Sequence, residues 1–194
     1  MGTKNTQLSM LVKIKKVLRY IFLYGLEQTI VKVVSNYKLV NNSKPIKKTK
    51  TINKNKIKSK SIGILGCGNF AFSIGAFFIN KYSPNSLFGT YDPNGKNAEV
   101  LAKFYKAEKV FAKPDDLISN ERVKKLFICS NHSTHAEYAV KAINAGKAVH
   151  IEKPHVVNYE QLERLVKSMK SNPKIPVFLG FNRPRSVLYK KLSK

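Results

Sequence analysis

The sequence predicts an α/β fold in which helices cover both faces of a doubly wound parallel sheet. Two observations support this prediction. From residue 61 onward, short apolar runs of strand length alternate with segments whose apolar residues recur at helical spacing. The apolar runs are also continuous, which is typical of strands buried on both faces of a parallel sheet. A basic amphipathic helix and a linker are expected to precede this body.

The charge of the chain is strongly positive and unevenly distributed. Of its 194 residues, 43% are hydrophobic, which suits one domain with a substantial core and an appendage. The net charge is +25, and residues 1–60 hold 15 Lys and Arg against one acid, Glu27. Nucleic acid and anionic membranes are therefore candidate partners. Only Tyr37 lies near the densest basic run as a base-stacking residue, so a solvated tail is favoured over a nucleic-acid arm.

Residues 1–40 are predicted to form an amphipathic helical extension, with a break at Gly25. Apolar residues recur near helical spacing from residue 11 to residue 34, and the lysines and Arg19 lie between them. Packing on the body or on a partner is favoured, and peripheral membrane contact through the basic face is the alternative. No transmembrane span is expected, because polar residues interrupt the apolar stretch at 20–34. Residues 41–60 are lysine-rich and have little to bury, which predicts a linker.

The globular body is predicted at residues 61–186, with 187–194 as a short remaining end. The continuous apolar runs predict six strands, at residues 61–65, 87–91, 109–111, 125–129, 148–151 and 176–180. Segments of helical spacing follow the first, second, fourth and fifth runs, at residues 69–80, 95–105, 134–145 and 159–171. Pro114 marks a shorter helical turn between the third and fourth strands.

A glycine turn follows the first predicted strand. The residues Gly66-Cys67-Gly68-Asn69-Phe70-Ala71 fit the pattern GxGxxG/A between a strand and a helix. Gly66 can make the tight turn, Gly68 lets the backbone approach a pyrophosphate, and Ala71 allows close helix packing. Free amides near Asn69 and Phe70 would face phosphate oxygens. The context therefore predicts a dinucleotide site in a Rossmann fold, against the alternative that the glycines only shape a turn.

Asp92 is the candidate ribose-binding residue. It stands at the end of the second predicted strand, 26 residues after Gly66. A carboxylate there can accept both ribose hydroxyls and repels a 2′-phosphate, which favours NAD over NADP. Lys96 nearby weakens that preference. The alternative is that Asp92 only caps the next helix.

Two further strand ends are unusually polar. Cys129-Ser130-Asn131-His132-Ser133-Thr134-His135 follows the fourth strand, and Glu152-Lys153-Pro154 follows the fifth. Ligands of open parallel sheets collect beyond such carboxyl ends. The histidines are also read as helix caps or surface residues.

Several segments together resemble the N-terminal half of the Gfo/Idh/MocA oxidoreductases. They read GILGCGNFA, YDPN, ICSNHSTHAEYAVKAINAGKAVHIEKP and GFNRP, and the resemblance covers about residues 61–186. It implies that Lys153 is the active-site lysine beside the nicotinamide, bonding the hydroxyl that becomes a carbonyl on a sugar or cyclitol. In addition, LRYIFLYGLEQTIVKVV resembles an extension of members associated with polysaccharide or glycan biosynthesis.

The resemblance also implies roles for other polar residues. Ser130, Asn131 and His135 should line the cofactor, and Glu152 should lie near the nicotinamide ribose. Asn182 and Arg183 match the N-x-R element beyond the sixth strand, where they would touch cofactor or substrate. The family more usually has Thr-Pro where this sequence has Ser130-Asn131.

Family members carry a second α/β domain that closes the substrate pocket and supplies a catalytic histidine. No histidine follows His155 here, so the chain is expected to be a cofactor half, either truncated or completed by a partner chain. The alternative function is a non-catalytic dinucleotide sensor or scaffold that docks a partner through its N-terminal helix. Cys67 and Cys129 are too few for a disulfide framework or a zinc site, so no metal is predicted and a reducing cytoplasm is expected.

Overall fold

A six-stranded parallel sheet forms the centre of the computed structural model, which describes residues 10–41 and 60–181. The strand order is β3-β2-β1-β4-β5-β6. The chain thus winds outward from β1 to one edge and then from β4 to the other, as a doubly wound sheet does. The strands are β1 (Ile62–Leu65), β2 (Leu87–Tyr91), β3 (Lys109–Val110), β4 (Lys125–Ile128), β5 (Ala148–Glu152) and β6 (Val177–Gly180).

Seven α-helices accompany these strands in the described residues. They are α1 (Met10–Tyr24), α2 (Leu26–Asn41), α3 (Ala76–Tyr82), α4 (Gly95–Tyr105), α5 (Pro114–Ser119), α6 (His135–Asn144) and α7 (Tyr159–Ser171). The α/β class and the parallel sheet are therefore confirmed, and each predicted strand and helix of the body lies within two residues of its expected ends, apart from the helix predicted at residues 69–80.

Two apolar layers hold the helices against the sheet. On one face, residues of α5, α6 and α7 pack with inward residues of the strands, including Leu126, Ile128 and Ile151. On the other, residues of α2, α3 and α4 pack with Ile64 and Phe72. All four residues of β1 are buried, as its continuous apolar run predicts. Each fully buried side chain of this size contributes about 1.5–3 kcal/mol.

The helix after β1 differs from the regular helix predicted at residues 69–80. A π-helical segment, Ala71–Gly75, precedes α3, and the amide of Ala76 donates to the carbonyl of Ala71. Two side-chain hydroxyls donate hydrogen bonds to backbone carbonyls here. Ser73 Oγ donates to Asn69 O at 2.7 Å, and Tyr105 Oη donates to Phe72 O at 2.6 Å. The bond from Tyr105 comes from α4, so the residue spacing of the segment alone does not predict this contact.

The N-terminal extension is a pair of helices that meet at Gly25. Gly25 has φ +85°, a left-handed conformation that favours glycine, so the predicted break is present. In α2, Val31 joins the core with Phe72, and Lys38 Nζ lies 5.2 Å from the centre of the Phe104 ring. Most of the apolar side chains of α1 are instead exposed, and Phe22 is 90% exposed. None of the described helices combines the length and apolar character that crossing a membrane requires.

Three expectations lie outside the described residues. They concern residues 42–59 of the linker predicted at 41–60, the N-x-R element with Asn182 and Arg183, and the end at 187–194. The domain boundaries drawn from the sequence stay predictions.

Candidate functional site

The glycine turn lies at the carboxyl edge of the sheet, where β1 passes between its neighbours. Gly66 has φ +88°, and its amide donates to Tyr91 O at 2.8 Å. A Cβ on Gly66 would stand 2.5 Å from the backbone of Ser130, so only glycine fits this approach. Cys129 N in turn donates to Leu65 O at 2.8 Å. The turn after β1 is thereby packed between the ends of β2 and β4.

The helix that follows the turn begins beside open space. A Cβ built on Gly68 meets nothing within 4 Å, and Phe70 is 39% exposed. Phe72 N donates to Gly68 O at 2.9 Å, which is the first bond of the helix. The amides of Asn69, Phe70 and Ala71 precede that bond and are the donors that a helix start leaves for an external acceptor. Such a start can hold an anion.

Asp92 is bonded directly to the glycine turn. Its Oδ2 accepts from Cys67 N at 2.7 Å and its Oδ1 accepts from Asn94 N at 2.9 Å. The cap of α4 is Asn94, whose side chain accepts from Lys96 N. Asp92 therefore does not cap that helix and joins the turn after β1 to the end of β2. Each carboxylate oxygen keeps lone pairs that can accept from ribose hydroxyls.

Ser130, Asn131 and His135 differ in their exposure and in their hydrogen-bond partners. Asn131 is exposed at the edge of the sheet, and Ser130 Oγ accepts from Thr134 Oγ1 at 2.8 Å. His135 is 1% exposed, with Nδ1 2.7 Å from Pro154 O and Nε2 2.9 Å from Ser130 O. The ring thus lies behind the strand ends and links them, whereas the family resemblance implies that it lines the cofactor. A positional role explains this geometry better than direct cofactor contact.

Glu152 ends β5 at the same edge, and Lys153 directly follows it. Lys153 is exposed, and its peptide bond to Pro154 is cis. Glu152 is largely covered, and its Oε2 lies 3.9 Å from His150 Nε2. Burial raises the pKa of the Glu152 carboxyl, while the backbone amide and charge of Lys153 oppose that shift. The end of β5 therefore offers one exposed ammonium beside a carboxylate of reduced acidity.

The sequence profile described as "Oxidoreductase family, NAD-binding Rossmann fold" (Gfo/Idh/MocA) matches residues 60–181, which include all of the site described above. The chain belongs to the Gfo/Idh/MocA family. The match confirms the resemblance drawn from the glycine turn and the EKP element.

Individual relatives agree with this membership. Oxidoreductase P35 of Formosa agariphila is 32% identical over 116 residues, which are 59% of this chain and 36% of that protein. Myo-inositol 2-dehydrogenase of Thermotoga maritima is 28% identical over 131 residues, 68% of this chain and 39% of that protein. The crystal structure of scyllo-inositol dehydrogenase from Lactobacillus casei with NAD(H) and scyllo-inositol superposes with a TM-score of 0.63 at 26% identity. That superposition covers 70% of this chain and 40% of the other. The chain thus spans about two fifths of the length of these relatives.

Both cysteines of this Gfo/Idh/MocA domain are free thiols near the turn. Burial raises the pKa of Cys67 well above its usual range. It raises the pKa of Cys129 to about 12, with a further contribution from Glu152. Since the thiolate is the nucleophile, neither cysteine is suited to covalent catalysis at neutral pH. Among the described residues, no cluster of His, Cys, Asp or Glu is arranged to hold a metal ion.

Three residues of α2 reach the glycine turn, and the sequence did not reveal them. Asn69 Oδ1 accepts from Lys32 Nζ at 3.2 Å and lies 2.7 Å from Ser35 Oγ, and Asn69 Nδ2 donates to Asn36 Oδ1. The amphipathic pattern predicts that α2 packs on something. The pattern does not identify the turn as its contact, because residues 26–41 and residue 69 are far apart in the chain.

The two glycines of the turn are expected to respond differently to alanine. Gly66→Ala should destabilise the protein by roughly 2–4 kcal/mol, since it combines a left-handed φ with a backbone clash. Gly68→Ala, the matched control, should change stability by less than about 1 kcal/mol, because its Cβ meets no atom. It should nevertheless weaken dinucleotide binding at least about tenfold by filling the phosphate space. Chemical denaturation and NADH titration measure both effects. Unchanged NADH affinity in Gly68→Ala would show that the phosphates do not lie on this turn.

Proposed function

We propose that this chain is the NAD-binding part of an oxidoreductase that transfers hydride between nicotinamide and a sugar or cyclitol. The hydroxyl and carbonyl forms of the substrate are the two sides of this reaction, and glycan or polysaccharide biosynthesis is the proposed setting. The supporting observation is that the glycine turn, Asp92 and the strand end with Lys153 lie at one edge of the sheet. Membership of the family supports the same reaction class.

The turn and Asp92 are proposed to hold the dinucleotide. The amides of Asn69 and Phe70 would donate to the pyrophosphate, and the open space at Gly68 leaves room for it. Asp92 would accept from the adenosine ribose hydroxyls. Its negative charge would repel a 2′-phosphate, so NAD is favoured over NADP. Ser130 and Asn131, beside the turn, would border the bound cofactor.

Lys153 is proposed as the catalytic residue. The bound nicotinamide supplies or accepts the hydride. The exposed ammonium of Lys153 can donate a hydrogen bond to the substrate oxygen and stabilise negative charge that develops on it. Glu152, whose pKa burial raises, is proposed to lie near the nicotinamide ribose. Arg183 and Asn182 are proposed to complete this side of the site.

The substrate-binding half is proposed to come from outside the residues described. The relatives include dehydrogenases named for inositols, and this chain spans about two fifths of their length. Hydride transfer requires a positioned substrate, and orientation can contribute about 7–11 kcal/mol of barrier lowering. We therefore expect residues 1–194 alone to bind NADH but to turn over substrate poorly, until a further domain or partner chain closes the site. The two free thiols support a reducing, cytoplasmic setting.

The test of the proposed function is a titration of the full chain with NADH and NADPH. Because the chain has no Trp, NADH fluorescence can be followed with little protein background. NADH should bind more tightly than NADPH. Asp92→Asn should weaken NADH binding about tenfold and reduce the preference for NADH over NADPH. The substitution removes the negative charge, and it leaves one side-chain oxygen to accept from the two amides of Cys67 and Asn94. Absence of NADH binding at millimolar concentration would contradict the proposal.

Lys153→Met separates binding from chemistry. It should bind NADH within about twofold of the unmodified chain, because Lys153 is assigned to the substrate oxygen. When the site is completed by a further domain or partner chain, the unmodified enzyme should transfer hydride and Lys153→Met should not. Full binding together with unchanged turnover would show that Lys153 is not the catalytic residue. NADH binding without hydride transfer in the unmodified assembly would instead favour the alternative function, a non-catalytic dinucleotide sensor that docks a partner through its N-terminal helices.

We also propose peripheral contact of α1 with anionic membranes. Ile14, Leu18 and Phe22 form an exposed stripe at i, i+4 and i+8, with the basic residues Lys15, Lys16 and Arg19 also exposed on the same helix. The lysine-rich residues 42–59 would add attraction to anionic lipid.

Vesicle sedimentation tests this contact. The full chain should bind vesicles that contain anionic lipid and be released by high salt. Phe22→Ser should reduce vesicle binding at least about threefold. Tyr82→Ser is the control, because Tyr82 is an aromatic residue of the body that is 74% exposed, and it should leave vesicle binding unchanged. Equal binding to neutral vesicles, or no effect of Phe22→Ser, would contradict membrane contact through α1.

A further inference from the structure

The docked face of α2 carries polar residues that contact the glycine turn. Ser35 is fully buried, and Val31 next to this group is part of the core with Phe72. A helix anchored in this way holds its neighbouring side chains in place. Lys32 lies three residues before Ser35 and four residues before Asn36, so its side chain neighbours both of them on the helix surface, and all three contact Asn69. The contact therefore has an apolar anchor and a polar end.

All polar side-chain atoms of Asn69 are bonded to α2. The oxygen accepts from Lys32 and lies within hydrogen-bond distance of Ser35, and the nitrogen donates to Asn36. Lys32 Nζ also donates to Ser73 Oγ at 3.3 Å, and Ser73 Oγ donates to Asn69 O. Asn69 directly follows Gly68, so α2 holds the first residue of the helix start that is proposed to bind phosphate.

Lys32 brings a positive charge to this position. Within residues 10–41 and 60–181, no carboxylate forms an ion pair with its ammonium, and its two bonds go to a neutral amide and a hydroxyl. Burial lowers the pKa of Lys32. An ammonium has three donors, so one remains beyond the bonds to Asn69 and Ser73. A charge that is partly desolvated and lacks a counter-ion is stabilised when an anion binds nearby.

We infer that α2 is part of the dinucleotide site, with Lys32 as a positioning residue that orders the phosphate turn through Asn69. This inference rests on the proposed NAD binding and adds the N-terminal extension to it. Docking of α2 and binding of the dinucleotide are then coupled, and each strengthens the other by the same factor. The extension thereby reports whether the cofactor is bound.

The test compares two lysines of the same helix in the full chain. Lys32→Met should weaken NADH binding about five- to twentyfold, and Lys32→Arg should restore most of it. Lys38→Met is the matched control, because Lys38 is buried on the same helix but its ammonium lies over the Phe104 ring, whereas that of Lys32 bonds Asn69. It should bind NADH within about twofold of the unmodified chain, even where it lowers thermal stability as much as Lys32→Met does.

Two further readouts distinguish positioning from simple stability. NADH should slow amide hydrogen exchange across α2 in the unmodified chain, and this slowing should be smaller in Lys32→Met. The salt dependence of NADH affinity should also be shallower in Lys32→Met, because one cation near the phosphates is gone.

The outcomes separate this inference from the proposed function. If the unmodified chain does not bind NADH, the proposed function fails. If it binds NADH but Lys32→Met binds equally well, or Lys38→Met weakens binding to the same extent, α2 contributes only stability and the inference is wrong. Amide hydrogen exchange in α2 that is equally fast with and without NADH would contradict the coupling between α2 docking and NADH binding.

Discussion

The hydrogen bond from Cys67 N to Asp92 Oδ2 determines the shape of the candidate site. It joins the turn after β1 to the residue after β2, and Gly66 places the same turn directly against Ser130 after β4. Three strand ends therefore share one rigid edge. A Cβ built on Gly68 meets nothing within 4 Å, so the helix that follows the turn begins beside open space. His135 extends the arrangement by linking Ser130 to Pro154 at the end of β5.

The sequence predicted the fold to a large extent because its signals are local. Continuous apolar runs identify strands that are buried on both faces, and the glycine turn identifies where the first strand ends. The ends of β2, α4 and α7 coincide with the predicted ends. The sequence did not predict the π-helical segment at Ala71–Gly75, since one of its carbonyls, Phe72 O, accepts a hydrogen bond from Tyr105 of another helix.

The candidate site was predictable only in part, for the same physical reason. The positions of Gly66, Gly68 and Asp92 follow from strand order and spacing. The bond of Asp92 to the turn, the burial of His135 and the contacts of α2 depend on tertiary packing between distant segments. Helical spacing predicted that the N-terminal extension has an apolar face. It could not show that α2 uses this face on the body while the side chains of α1 stay exposed.

The N-terminal extension contacts the candidate site through α2. Since α2 packs on the glycine turn, the extension adjoins the proposed cofactor site, while most described apolar side chains of α1 are exposed. We propose that the dinucleotide lies on the glycine turn, which the bond to Asp92 joins to the end of β2. Two-dimensional amide NMR of the full chain, titrated with NAD, tests it most directly. The largest shifts should occur at the amides of residues 66–71 and 92–94. Shifts concentrated elsewhere, or none at these amides, would contradict the account.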